Sequence, residues 1–170
     1  MGKTKKRLAL LLAAVLLASA AGCSGAGTPS SAPETSAAVS EEEKSSAVTF
    51  TDALGNQVTV ENPQRVVSFY GSFAEMWVLA GGSLVGTTED AITERQLELG
   101  DEVEIIGTVK KPNLEVTLSL APDLVLLSAD TSEHVQAAET LKAAGIPCAF
   151  FRVDYLEDYV AAMKICTDIT

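Results

Sequence analysis

The chain has 170 residues with 12 Lys and Arg against 23 Asp and Glu, a formal net charge of −11. So acidic a surface repels phosphates and offers no basic stripe, which argues against nucleic acid as a partner. It is equally mismatched to anionic lipid head groups, so any membrane link should run through acyl chains alone.

The chain opens with Lys3, Lys5, Lys6 and Arg7, followed by an apolar run from Leu8 to Leu17. That run is too short to cross a ~30 Å hydrocarbon core as a helix and reads as a signal h-region. Ser19, Ala20, Ala21 and Gly22 then lead into Cys23, a stretch that resembles the bacterial lipobox with Ala20 where Leu is usual. Residues 1–22 are expected to be a lipoprotein signal peptide, with Cys23 as the lipidation site. Losing them removes four cations and no anions, leaving 8 cations against 23 anions and a charge of −15. Two or three acyl chains, at ~0.8 kcal/mol per buried CH₂, anchor a protein stably. The expected location is the cell membrane, lipid-anchored on the extracytoplasmic face, whether periplasmic or cell-surface. Residues 23–46 are Ser, Ala, Gly, Thr, Pro and Glu without apolar periodicity, and predict a flexible acidic linker.

From residue 47 the pattern changes. Val48-Thr-Phe50 and Gln57-Val-Thr-Val60 flank Asp52-Ala-Leu-Gly-Asn56 and predict a small antiparallel hairpin. Arg65-Val-Val-Ser-Phe69 reads as a strand covered on both faces. Ser72 and Glu75 have the spacing of a capping box for a helix over 73–80, closed at Gly81-Gly82. Strands at 84–87 and 104–106 bracket a helix over 91–99. Pro112-Asn-Leu-Glu115 opens a helix that ends before Pro122. Leu124-Val-Leu-Leu127 is a strand, and 132–144 an amphipathic helix with Val135, Ala138, Leu141 and Ala144 inward. Pro147 to Phe151 is strand-like, and Asp154-Tyr-Leu-Glu157 starts a last helix with Leu156, Val160, Met163 and Ile165 as its apolar members.

Repeated β-α units imply an α/β, three-layer Rossmann-like lobe with a mostly parallel sheet, right-handed crossovers and ligands beyond the carboxyl ends of the strands. No nucleophile elbow or phosphate-binding glycine loop is present, and a lone His134, in a polar helix start, reads as solvated. The chain is therefore not expected to be an enzyme, and no cofactor is implied. Cys148, in an apolar run, reads as a small buried hydrophobe; spacing does not decide whether it pairs with Cys166.

Five ordered segments carry a family resemblance. They are Arg65-Val-Val-Ser-Phe-Tyr-Gly-Ser-Phe-Ala-Glu75, Leu79-Ala-Gly-Gly-Ser-Leu-Val-Gly86, Gly107-Thr-Val-Lys-Lys-Pro-Asn-Leu-Glu115, Leu118-Ser-Leu-Ala-Pro-Asp-Leu-Val125 and Leu141-Lys-Ala-Ala-Gly-Ile-Pro147. Together they resemble the N-terminal lobe of ABC-importer substrate-binding proteins for iron–siderophore, haem and cobalamin, the periplasmic-binding-protein class III family. That resemblance implies a lobe over 47–154, with 155–170 beginning the helix to a second lobe. Because the last helix reaches Thr170 without a stop signal, the expectation is an N-terminal-lobe fragment.

The resemblance also implies roles. Tyr70, Gly71 and Ser72 fall in the loop beyond the first strand, with Phe69 as core; Thr88, followed by Glu89 and Asp90, lies beyond the second; Val109 and Lys110 lie in the third. Lys110 and Lys111 either attract an anionic ferric siderophore or haem propionates, or are a solvated pair. Ser128, Ala129 and Asp130 are weaker candidates, and Glu75 is read only as a cap. Glu115 matches the glutamate that docks the lobe onto an arginine pocket of the permease. The partners implied are an ABC permease and ATPase complex, an iron-siderophore, haem or corrinoid ligand, and the membrane through the lipid anchor, with the protein a monomer. The alternative is a surface-anchored interaction lipoprotein with no small-molecule ligand.

Overall fold

A computed structural model describes residues 47–170. The expectations for the signal peptide, Cys23 and the linker lie outside those residues. The chain runs β1 (Val48–Thr51), β2 (Gln57–Val60), β3 (Val66–Ser68), α1 (Gly71–Leu79), β4 (Leu84–Thr87), α2 (Asp90–Thr93), β5 (Glu104–Ile105), β6 (Gly107–Thr108), β7 (Lys111–Pro112), α3 (Leu114–Ser119), β8 (Leu124–Ser128), α4 (Ser132–Ala143), β9 (Cys148–Phe151) and α5 (Leu156–Ile169). Strands β1 and β2 form the antiparallel hairpin read from the sequence. Five strands form one sheet in the order β5-β4-β3-β8-β9, every neighbouring pair parallel.

Burial on both faces explains the unbroken apolar runs of β3, β8 and β9. Val66, Leu124, Leu126, Ala149 and Phe151 face α1 and α5, meeting Phe73, Met76, Trp77, Ala162 and Cys166. Val67, Phe69, Val125, Leu127, Cys148 and Phe150 face the other way, onto Ala137, Ala138 and Leu141 of α4. The three-layer α/β lobe expected from the sequence is thereby borne out. No described helix is long and apolar enough to cross a membrane.

Four local expectations are overturned. The Ser72–Glu75 capping box does not form: α1 starts at Gly71, its N-cap is Tyr70 and no side chain of that residue caps it. An outside carboxylate supplies the cap instead, Asp90 Oδ2 accepting the Gly71 N–H at 2.7 Å. The helix expected over 91–99 is a single turn, because Gln96 takes φ +54 and turns the chain aside. Leu97 and Leu99 then pack against the α1 core as irregular chain.

Helix α4 is rotated from its expected face: His134, not Val135, is buried with Ala137, Ala138 and Leu141, while Val135 is 38% exposed. In α5 the buried positions are Ala162, Cys166 and Ile169, whereas Leu156 and Val160 stand 74% and 58% exposed. Met163 and Ile165 do pack against the core, partly buried, as expected, so only the apolar residues near the start of the helix depart from the reading. One closure matched its expectation: Gly81 follows α1 at φ +98, a conformation that a Cβ would strain.

Candidate ligand-binding site

Parallel strands bring the residues following β3, β8 and β9 to one edge of the sheet. There, between the start of α1 and the start of α5, lies a hollow of about 450 Å³ lined by Tyr70, Ser72, Glu75, Arg95, Asp130, Arg152, Asp154 and Tyr159, among others. Tyr70 follows β3 directly and is held in place. Its carbonyl accepts the Ser68 hydroxyl at 2.8 Å, and its ring meets Phe73 edge-on at 5.2 Å between centroids. Phe73 meets Phe151 in the same way at 5.5 Å, so the aromatic edge of the hollow is continuous with the core.

Two guanidinium groups face this space. Arg152 follows β9, and its Nε donates to Asp130 Oδ1 at 2.7 Å. That hydrogen bond, reinforced by the Asp130 charge, holds the Arg152 proton more tightly than in a free side chain. Arg95 reaches Glu75 at 3.9 Å, with both side chains more than a third exposed. Asp130 therefore orients Arg152 through a charge-assisted hydrogen bond that uses only its Nε donor, whereas Arg95 has, among the described residues, only a long ion pair with Glu75.

The six ligand positions expected from the sequence do not share one surface. Tyr70 and Ser72 line the larger hollow. Val109 and Lys110 line a second one of about 270 Å³ with Glu89, Asp90, Thr93, Glu94 and Thr108. Gly71 and Thr88 are buried. Gly71 is engaged by Asp90, and the Thr88 hydroxyl has no hydrogen-bond partner. Lys110 and Lys111 are exposed on the short β6–β7 hairpin, which the sequence reading did not anticipate.

His134 is the clearest correction. It is not solvated but 0% exposed. Its Nδ1 accepts the Ser128 N–H at 3.0 Å and its Nε2 lies 2.8 Å from the Val109 carbonyl. Burial pushes it below the ordinary imidazole value, against the opposing pull of that carbonyl, Glu133 and Asp90.

Sequence reasoning passed over Arg95, Arg152 and Tyr159, discounted Glu75 and ranked Asp130 low. Arg152 was within reach, since it follows an apolar strand just as Tyr70 does. Nothing local marks Arg95. Glu115 is exposed in the first turn of α3, where the Asn113 side chain caps the helix by accepting the Val116 N–H at 3.1 Å. Cys148 and Cys166 are free, buried thiols in core clusters on opposite faces of the sheet, so they do not pair.

No family model matches the sequence. A curated relative, the provisionally assigned ABC transporter substrate-binding lipoprotein YhfQ of Bacillus subtilis, is 30% identical over 125 residues, covering 69% of this chain and 38% of that protein. Among solved structures, the petrobactin-binding protein YclQ of Bacillus subtilis matches with a TM-score of 0.59 at 21% identity, covering 72% of this chain and 45% of that one. The periplasmic catecholate-siderophore binding protein VctP of Vibrio cholerae gives 0.58 at 20% identity, with 72% and 45% covered. The haem-binding protein HmuT, as a point variant, gives 0.58 at 21%, with 72% and 40% covered. The chain spans less than half the length of each of these proteins.

Proposed function

Since the chain is similar in sequence to an ABC-transporter substrate-binding lipoprotein and in fold to siderophore- and haem-binding proteins, we propose that it is the extracytoplasmic solute-binding component of an ABC importer. Its ligand is an anionic iron complex, a ferric siderophore or haem, with cobalamin as the neighbouring possibility, and this sequence is the N-terminal lobe of a longer protein. The observation that carries the reading is the hollow at the carboxyl ends of β3, β8 and β9, whose lining brings Tyr70 and Tyr159 together with Arg95 and Arg152. Ring faces suit a macrocycle or catecholate, and guanidinium forks suit its carboxylates.

Binding is reversible and non-covalent, and the work of transport falls to the ATPase. In this reading Glu115, exposed and away from the hollow, docks the lobe on the permease, and a lipid on Cys23 keeps it at the membrane. Gly71 and Thr88 act from beneath the surface, while Val109 and Lys110 form a second edge of the cleft.

The test is tyrosine-fluorescence titration of the protein from the complete reading frame with ferric siderophores, haem and cobalamin. Saturable quenching by one class, weakened by Tyr70→Ala or Arg152→Ala, supports the assignment. Silence with all three returns the chain to the alternative of a surface-anchored interaction lipoprotein.

A further inference from the structure

We propose that His134 positions the Val109–Lys110 edge of the candidate site, acting as a clasp that fastens this edge to the end of β8 while the imidazole is neutral and lets go when it is protonated. Its consequence for ligand rests on the binding reading above; the clasp itself does not.

His134 is the single histidine of the chain and sits in the first turn of α4 with no exposed surface. Because the Ser128 N–H donates to Nδ1 at 3.0 Å, that nitrogen must be bare, and the ring proton must sit on Nε2. Nε2–H therefore donates to the Val109 carbonyl at 2.8 Å. Phe69 closes the ring's flank, edge-on at 5.5 Å. Ser128 lines the larger hollow and Val109 the smaller, so one imidazole ties the two edges of the site together.

Few other bonds hold the segment that carries Val109 and Lys110. The two-residue pairing of β6 with β7, the Glu89 N–H to the Gly107 carbonyl at 2.9 Å and the Lys111 N–H to the Thr108 hydroxyl at 3.1 Å are its neighbours in this role. Among the described residues, only the two His134 hydrogen bonds link this segment to β8.

A proton added at Nδ1 would face the Ser128 N–H donor to donor, and the imidazolium would be buried without an acceptor on that side. Glu133 on α4 and Asp90 on α2 favour the charged ring, Lys110 lies within electrostatic reach of Glu133, and the flanking Ser128 of β8 and Phe69 of β3 carry no charge. Burial outweighs the carboxylates, so the folded value lies below the ordinary 6.5. An unfolded chain then takes up the proton first as pH falls through 6.5, and the stabilisation of the neutral clasp is lost from there down through the folded value.

The experiment is hydrogen exchange of the full chain in mild detergent, read by mass spectrometry over peptides containing Ser128 and residues 107–112. It compares about pH 7.5 with about pH 5, after correction for intrinsic rates. Wild type should lose protection in both regions together in acid, on the order of tenfold. H134N keeps an acceptor for Ser128 but has no donor that reaches Val109; H134Q keeps the donor but not the acceptor. Each should be as open in 107–112 or at Ser128, respectively, at neutral pH as wild type is in acid, and neither should respond to pH.

Equal protection of wild type at both pH values, or a pH response that survives in both variants, overturns the clasp. If both variants fail to fold, the ¹⁵N imidazole spectrum of wild type decides. An Nε2–H tautomer titrating below the ordinary value upholds the clasp, and an Nδ1–H tautomer or an ordinary titration overturns it. A chain that binds neither ferric siderophore nor haem defeats the ligand reading and leaves these exchange outcomes as they stand.

Discussion

Asp90 Oδ2 accepts the N–H of Gly71 at 2.7 Å, so a carboxylate from the turn after β4 caps the helix that follows β3. Asp90 is only 8% exposed, and a Cβ on Gly71 would meet the Ala91 nitrogen at 2.6 Å and Asp90 Oδ2 at 2.7 Å. The contact fixes where α1 begins, and with it Tyr70 and Ser72 at the rim of the hollow.

Asp90→Ala removes a charge-assisted bond from a buried N–H and should cost about 1–3 kcal/mol. Gly71→Ala drives a methyl into the Asp90–Ala91 backbone and should cost a similar amount, roughly 1–3 kcal/mol. Because they disrupt one contact, the double variant should lose less than their sum. Urea unfolding midpoints check all three, and an Asp90→Ala midpoint equal to wild type refutes the cap.

Arg152 and Asp130 make a short but solvent-exposed pair, and such pairs add little to folding. Arg152→Ala should leave the melting temperature unchanged while weakening an anionic iron complex by about tenfold, the worth of one charge-assisted hydrogen bond. Thermal unfolding and titration on the same sample separate the two effects. Unchanged affinity would remove Arg152 from the site.

Glu115 lies in the first turn of α3, where its charge also favours the helix dipole by about 0.3–1 kcal/mol. Glu115→Ala in the full-length protein should impair uptake of labelled iron complex by whole cells and leave ligand affinity unaltered. A fall in affinity instead would show that the residue serves the ligand rather than the permease.

The thiols of Cys148 and Cys166 are pushed up to about 11 and about 12 by burial. Both folded values lie above the ordinary 9.0, so the thiols leave stability untouched below pH 9.0 and erode it as pH rises from there through the folded values. At neutral pH an aromatic disulfide reagent should leave both unmodified in the native protein and label both in denaturant. Rapid labelling of either in the folded state would contradict its burial.

Much of the fold was legible because its signals are local. The apolar runs of β3, β8 and β9 are bounded by turn residues, and α1 and α4 stop where Gly81 and Gly145 follow. The failures are places where a distant partner overrode a local pattern. Ser72 and Glu75 have the spacing of a cap, but Asp90 arrives first. His134 looks solvated among Ser132, Glu133 and Gln136, yet Ser128 and Val109 satisfy both ring nitrogens inside the lobe. The helix expected over 91–99 breaks at Gln96, and the Leu97 and Leu99 side chains are taken up by the core without it.

The sequence by itself determined a layered parallel α/β lobe, because strand and helix periodicities and their glycine stops need only neighbours a few residues away. It also determined that Tyr70 would stand at a strand's carboxyl end. Only the tertiary structure decided that Arg95, Asp130, Arg152 and Tyr159 share a hollow with it, and that Lys110 lies in another. The reason is the strand order. Placing β8 and β9 beside β3 brings Asp130 and Arg152 next to Tyr70. Lys110 stays on the β4–β5 side, from which Arg95 alone among the residues named reaches the larger hollow. That order is set by packing across the whole sheet rather than by any one segment.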